Sequence, residues 1–265
     1  MRRLQNSRAP EPDDAALEGF DRAGLEGDAV GPVADELPWL RPFGADIPGL
    51  SLATTFVLNE PESTRVPRRA RELAGWGRSL DALLLLRRYL AEEPQNAEVR
   101  SLLAELLDEG GDSEAALEEL TVALSHAADP VSVLVHRGSI LARYGRTAPA
   151  ERDLRDAIRR RPDHAPAHFH LGLTLLRRGL GSDATAALRE SLRYAPDDPD
   201  ATYYLGEALE AQGDLPGALA AMERAAALAP DHPRTYKMMG RLLDRMGRTD
   251  QAMVMHKKAR EAGIR

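Results

Sequence analysis

The 265-residue sequence has no cysteine, only four Phe, six Tyr and two Trp, and only three lysines among its 35 basic residues. The absence of cysteine excludes disulfides, iron–sulfur clusters, cysteine-ligated zinc and thiol nucleophiles. No stretch approaches 18 uncharged apolar residues, so we expect no membrane-spanning helix. The charged N-terminal residues are followed by no apolar run, so we expect no secretory signal and a cytoplasmic protein. The basic residues are mostly arginine, which suggests a GC-rich bacterial source.

Motifs for catalysis are also missing. The sequence contains no phosphate-binding loop, no dinucleotide fingerprint, no serine-hydrolase elbow and no zinc-peptidase motif. Its carboxylates follow helical spacing typical of solvated faces rather than of a water-excluding cleft. We therefore expect no enzymatic activity and no cofactor.

Two further ligand classes have weak candidates. His136 and His170 lie 34 residues apart, but two imidazoles without a carboxylate or cysteine partner make a poor metal site, so we expect no bound metal. The basic run between Arg152 and Arg161 is interleaved with Asp153 and Asp156. This alternation is typical of a solvated helix face, so we expect no nucleic-acid binding.

The charge is distributed unevenly along the chain. Residues 1–62 carry 12 acidic residues against five arginines and hold seven of the 18 prolines, whereas residues 63–265 carry 30 charges of each sign. The net charge of −7 therefore belongs entirely to the first quarter. We interpret residues 1–62 as an acidic, proline-rich extension, largely disordered with short apolar segments, and residues 63–265 as a separate domain.

The second part of the chain repeats with a period of 34 residues. Similar short segments end in a proline at separations of 68, 34 and 34 residues, at Pro94, Pro162, Pro196 and Pro230. Cutting at this period gives the units 63–96, 97–130, 131–164, 165–198, 199–232 and 233–265, with net charges of +3, −8, +4, 0, −5 and +6.

Four aligned columns carry the pattern. A first small-residue column reads Ala70, Ala104, Gly138, Gly172, Gly206 and Gly240, and an unbroken glycine column reads Gly77, Gly111, Gly145, Gly179, Gly213 and Gly247. A second small-residue column reads Ala82, Ala116, Ala150, Ala184, Ala218 and Ala252, and a large-residue column reads Leu86, Leu120, Leu154, Leu188, Met222 and His256. Apolar residues at spacings of three and four predict amphipathic helices on both sides of the glycine, roughly 66–76 and 79–92 in the first unit.

These columns resemble the tetratricopeptide repeat family over residues 63–265. The resemblance implies an all-α superhelix, or solenoid, of about six helical hairpins, in which hairpins must stack to bury their apolar faces. The aromatic residue usual early in the first helix occurs only as Tyr236. In the sixth unit, His256 and Arg260 replace apolar residues, which predicts a polar end to the stack.

The family implies a function as well as a fold. Its first helices line a concave groove that holds a peptide or a partner helix, so we expect a non-catalytic scaffold or adaptor. Transferring the groove-facing positions onto this chain predicts the peptide-binding residues Val135, His136, Phe169, His170, Leu173, Leu176, Arg177, Tyr203, Glu207, Glu210, Lys237 and Arg241. The same positions add Glu98, Glu105, Asp108 and Glu109 in the second unit, Asp200 and Tyr204 in the fifth, and Arg234 and Arg245 in the sixth. The groove is therefore expected to run from acidic to apolar, then acidic again, then basic.

Two alternatives stay open at this point. The chain could instead be a structural subunit that assembles head to tail through its repeat ends, for which the unlike charges of units five and six offer contacts. The apolar segment Ile47–Leu58 could pack on the first hairpin over Leu83–Leu86, or it could enter the groove and compete with a partner.

Overall fold

The computed structural model of the protein describes residues 61–263. The predicted extension, apart from its last two residues, lies outside the described residues, and so do its apolar segments. The compact unit that contains the repeats spans Asn59–Arg265.

Within residues 61–263 the chain forms twelve helices and no strand, which confirms the predicted all-α fold. The first helices of the six hairpins are α1 (Glu62–Gly75), α3 (Ala97–Glu109), α5 (Val131–Arg143), α7 (Ala165–Arg177), α9 (Pro199–Ala211) and α11 (Pro233–Arg245). The second helices are α2 (Ser79–Glu92), α4 (Ser113–His126), α6 (Thr147–Arg160), α8 (Gly181–Tyr194), α10 (Leu215–Leu228) and α12 (Thr249–Ala262). No helix of this described part is long and apolar enough to cross a membrane.

The glycine column ends each first helix. All six glycines have a φ between 73° and 87°, the left-handed region that a Cβ disfavours. After α7, the amide of Gly179 donates to the carbonyl of Leu176 at 2.9 Å, and the amide of Leu180 donates to that of Leu175 at 3.0 Å. This pair of bonds satisfies carbonyls that the helix end would otherwise leave without a partner. The predicted hairpin turn is therefore present in every unit.

The first helix begins earlier than the hairpin pattern indicates. It starts at Glu62 instead of near Val66, and it contains Pro67 in its interior. Pro67 has no amide hydrogen to donate to the preceding turn, so sequence rules place a helix start close to it. Burial of Val66 and Pro67 against the first hairpin accompanies the longer helix.

The small-residue columns lie where the two helices of a hairpin approach closely. All six alanines of the second column are fully buried. A Cβ added to Gly172 would lie 2.6 Å from Cγ of Leu188, which is itself fully buried. Glycine in α7 therefore allows α7 and α8 to pack more closely than alanine would.

The hairpins stack in two layers, and their buried apolar residues form clusters that follow one another along the stack. Each second helix packs on the first helix of the next unit, and neighbouring first helices contact one another more extensively than neighbouring second helices do. The layer of first helices is thus the tighter one, so it forms the inner surface of the curved stack. At the far end, α12 buries only Ala252, as the polar residues of the sixth unit predicted.

Candidate functional site

The candidate site is the inner surface formed by the first helices. Successive first helices are related by the 34-residue period, so side chains 34 positions apart occupy equivalent places on neighbouring helices. The predicted groove residues therefore form rows that run across α5, α7, α9 and α11. The structure shows how exposed each row is and which of its side chains already have partners.

The centre of this surface is apolar. Phe169, Leu173 and Leu176 follow one another at spacings of four and three on α7, and all three are partly exposed. Phe169 and Leu176 pack against the buried core of the middle repeats. The ring of Phe169 lies edge-on to that of Tyr204 on α9, with 5.8 Å between the centroids. These four side chains make a strip, named here the central strip, that crosses two neighbouring first helices.

Two predicted residues of the middle contribute little surface. Val135 and Tyr203 are only 7% and 6% exposed. The hydroxyl of Tyr203 donates to Glu207 at 2.8 Å, and the Arg234 guanidinium lies 5.4 Å from the centre of its ring. Burial and the Glu207 carboxylate raise the pKa of Tyr203 to about 12. Tyr203 therefore holds Glu207 in place, while its neighbour Tyr204 is the more exposed ring.

His136 and His170 are neutral groups rather than cations. Burial lowers the pKa of His170 to about 4, and the nearby His136, Arg143 and Arg177 disfavour its protonation further. Burial also lowers the pKa of His136, although Glu105 and Asp108 oppose this shift. Within residues 61–263, no group of three or more histidine or carboxylate side chains is placed to hold a metal ion. At neutral pH these imidazoles add hydrogen-bonding capacity without charge.

The flanks of the groove carry ion pairs between neighbouring repeats. Asp108 on α3 accepts from Arg143 on α5, and Glu210 on α9 accepts from Arg245 and Arg241 on α11 at 2.7 and 3.2 Å. The acceptor side chains are well covered, with 11% and 17% of Asp108 and Glu210 exposed. Part of the alternation in net charge between successive units is therefore neutralised by ion pairs between neighbouring repeats.

Several groove charges form no ion pair within the described part of the chain. On the side of the early repeats these are the exposed carboxylates Glu98, Glu105 and Glu109, and towards the later repeats they are the exposed carboxylate Asp200 and the exposed cations Arg177 and Lys237. A recess of about 160 Å³ lies at the acidic side and is lined by Glu98, Glu105 and His136 among others. The groove thus offers free negative charge at one end and free positive charge beyond its centre.

Sequence reasoning missed Arg143 as a groove residue. The signal was present, because Arg143 belongs to the same aligned column as Glu109, Arg177 and Arg245, which were assigned to the groove. Arg143 is exposed, pairs with Asp108 and faces His170. It joins the acidic flank to the central strip.

A larger cavity of about 570 Å³ lies on the opposite side of the stack, between α4 and α6. The floor of this cavity is formed by Arg137, whose Nε and Nη2 donate to the two carboxylate oxygens of Asp153 at 2.7 and 2.9 Å. Thr121 accepts a further bond from Arg137 at 3.3 Å. The most buried polar groups of this cavity are therefore already paired with one another.

Comparisons with known proteins agree with this architecture. Two tetratricopeptide repeat models match the chain, one over residues 137–184 and 174–233, and the other over residues 77–133 and 209–263. A comparison with curated proteins finds no match.

Several solved structures share the fold. MamA of Desulfovibrio magneticus RS-1, from residue 41 to its end, is 24% identical with a TM-score of 0.58, and the match covers 63% of this chain and 94% of that chain. PilF of Pseudomonas aeruginosa is 20% identical with a TM-score of 0.65, covering 73% and 88% of the two chains. PilW, described as a widely conserved type IV pilus biogenesis factor, is 19% identical with a TM-score of 0.66, covering 77% and 91%. At these identities the likeness shows the fold alone.

The repeat period, the left-handed glycines and the two small-residue columns identify the same architecture as the family matches do. Together the matched segments cover most of the chain from residue 77 to residue 263. The chain therefore belongs to the tetratricopeptide repeat family.

Proposed function

We propose that this protein is a non-catalytic scaffold or adaptor that binds a segment of a partner protein in the groove of its first helices. The observation that carries the proposal is the central strip, in which Phe169, Leu173 and Leu176 remain partly exposed on the inner surface. Apolar side chains that meet across neighbouring helices can bury the anchors of a bound segment. His136 and His170 add neutral hydrogen-bonding groups beside these contacts.

The unpaired charges define the chemistry of the bound segment. It carries one or two large apolar anchors for the central strip. Basic residues on one side of the anchors face Glu98, Glu105 and Glu109, and acidic residues on the other side face Arg177 and Lys237. Such complementarity sets orientation and register, whereas the apolar anchors supply most of the affinity.

The end faces of the stack favour groove binding over head-to-tail assembly. The first unit carries a net charge of +3 and the sixth a net charge of +6. Arg65 and Arg69 on α1 and Lys257 on α12 form ion pairs within their own helices, whereas the exposed Arg260 on α12 forms none within residues 61–263, so the net charge of each end stays positive. Joining these two ends would bring like charges together, which opposes association.

Selection from a random peptide library on the full-length protein tests the proposal. We expect enriched peptides with an apolar anchor between a basic and an acidic residue, and a loss of at least about 30-fold in their affinity for a Leu173→Glu variant, because a carboxylate is introduced into the apolar contact. The matched control is Ala186→Glu, which adds the same charge on the exposed face of α8.

Equal affinity for the wild type and Leu173→Glu would contradict the groove assignment. Equal losses in Leu173→Glu and Ala186→Glu would show that net charge, not the central strip, governs binding. Circular dichroism of both variants separates either result from unfolding.

A further inference from the structure

The first hairpin exposes large apolar side chains outside the groove. Leu80 and Leu84 on α2 are 77% and 65% exposed, and Trp76, between α1 and α2, is 63% exposed. Leu80 and Leu84 are four residues apart, so they are neighbours on one face of α2. We call this face of α2 the leucine face.

Only the first hairpin has leucines at both of these positions. Their exposure is not caused by the location of this hairpin at the end of the stack. The equivalent positions are exposed in all five other hairpins, where they hold Glu114 and Glu118, Ala148 and Arg152, Ser182 and Ala186, Pro216 and Ala220, and Asp250 and Val254. These side chains are charged, polar or small, apart from Val254. Two exposed leucines at positions that the fold leaves to solvent indicate a contact with something outside the described residues.

The outer face of α1 is not suited to that contact. Arg65, Arg69 and Glu72 have 46%, 42% and 38% of their side chains exposed, and the two arginines form ion pairs with Glu62 and Glu72. One repeat later the equivalent residues are Val99, Leu103 and Leu106, which are buried beneath the preceding hairpin. A further hairpin packed on α1 would have to bury three charged groups, which is costly. The stack therefore ends at α1, and the apolar surface that remains open is the leucine face.

We infer that the segment Ile47–Leu58 of this same chain docks on the leucine face of α2. The segment has 12 residues, none of them charged, and Leu58 lies only three residues before Pro61, where the described chain begins. Docking on this face makes the segment a strap over the outside of the first hairpin, which leaves the groove free for a partner.

The length of the chain permits this contact. The helix α1 has 14 residues and spans about 21 Å, which is the distance that the segment must follow to reach Leu80 from the start of α1. Twelve residues span about 18 Å as a helix and up to about 40 Å when extended. With the three connecting residues, either conformation reaches the leucine face.

Charge complementarity supports the same occupant. Residues 1–62 have a net charge of −7, whereas the first repeat has a net charge of +3. Arg87 and Arg88 follow Leu84 by three and four residues, are exposed, and form no ion pair within residues 61–263. The acidic chain that flanks the docked segment can therefore lie beside these arginines. A second copy of the protein would bring two basic first repeats together instead.

Hydrogen exchange on the full-length protein tests the inference. In the wild type we expect peptides covering residues 47–58 to exchange at least about tenfold more slowly than in a Leu80→Glu/Leu84→Glu variant. The variant is expected to fold, because Glu114 and Glu118 occupy the same two positions in the second hairpin. The matched control is Ala148→Glu/Ala186→Glu, which places two carboxylates at exposed equivalent positions of other hairpins and should leave the exchange unchanged.

Three results would overturn the inference. Equal exchange of residues 47–58 in the wild type and the leucine variant would show that the segment does not dock there. Release of the segment by Leu173→Glu but not by the leucine variant would place it in the groove. A wild-type dimer in sedimentation velocity that the leucine variant converts to a monomer would identify a second copy as the occupant.

Discussion

The centre and the flanks of the groove differ in what their side chains are already bound to. In the flanks, Asp108 and Glu210 are neutralised by arginines of the next repeat. In the centre, Phe169, Leu173 and Leu176 remain partly exposed, and Phe169 and Leu176 also pack against the core. The flanks therefore join repeats to each other, whereas the centre retains surface that a partner can cover.

This difference changes the meaning of the charge bands in the sequence. The second unit has a net charge of −8 and the third a net charge of +4, but three carboxylates of the second, Asp108, Glu114 and Asp129, are paired with arginines of the third. Exposed ion pairs contribute little stability individually, yet they remove charge from the surface that a partner meets. Among the charged side chains of the groove, a partner therefore meets chiefly those that form no ion pair, beside the apolar side chains of the central strip.

The largest expected effect concerns the core beneath the centre. Leu188 is fully buried against Gly172 on α7, so Leu188→Ala should lower the free energy of unfolding by about 2–5 kcal/mol, measured by urea denaturation. The control Leu180→Ala removes a side chain that is 38% exposed and should cost less than about 1 kcal/mol. Similar losses in the two variants would show that the central strip does not rest on a tightly packed core.

The next expected effect is a pH dependence of the free energy of unfolding that arises from His170, beside the central strip. Because the pKa of His170 is about 4 in the folded protein and 6.5 when unperturbed, the unfolded state binds an extra proton between these values. Stability is therefore full above pH 6.5 and is lost as the pH falls towards 4, by up to about 3 kcal/mol.

This loss is measured as the difference between the wild type and His170→Gln in urea midpoints from pH 7 to pH 4. The variant lacks the titrating imidazole, so its stability should fall less over this range. Parallel curves for the two proteins would contradict the assignment of acid sensitivity to the centre.

The smallest expected effect concerns the flank. Arg245 donates to Glu210 at 2.7 Å, but 49% of the Arg245 side chain is exposed, so solvent screens the pair. A double-mutant cycle with Glu210→Ala and Arg245→Ala should give a coupling energy of about 0.5–1 kcal/mol, and added salt should reduce it. A coupling of zero would show that this pair does not join the fifth and sixth repeats.

Much of the fold could be predicted because the same pattern of glycine, small and large apolar residues occurs in nearly the same form in six successive units. The glycine column marks the boundary between the two predicted helices of each unit, and every glycine in it has a positive φ. The second small-residue column recurs in every unit, and every alanine in it is fully buried. The early start of α1 was not predicted, because proline is unfavourable inside a helix and Pro67 therefore suggested a helix start close to it. In the structure the helix continues through Pro67, which is buried together with Val66.

The candidate site could be predicted only in part. The resemblance to the family predicted Phe169, Leu173 and Leu176 on the inner surface, but it did not reveal that Tyr203 is buried or that Asp108 is paired. Arg100 shows the same limit: it stands where the family usually has an aromatic residue, pairs with Glu119, and donates to the carbonyl of Pro94 at 2.8 Å. Such partners lie on other helices, so their distance along the chain carries no signal of contact.

By itself, the sequence determined the number of repeats, the turn in each hairpin and the small residues between helices, because these follow from interactions within about 34 residues. The tertiary structure decided which charges are neutralised and which apolar side chains stay exposed. Those properties depend on how one repeat lies on the next, where a carboxylate either meets an arginine or remains in water. The same dependence singles out Leu80 and Leu84, since only the stacked structure shows that their equivalents in every other repeat face solvent.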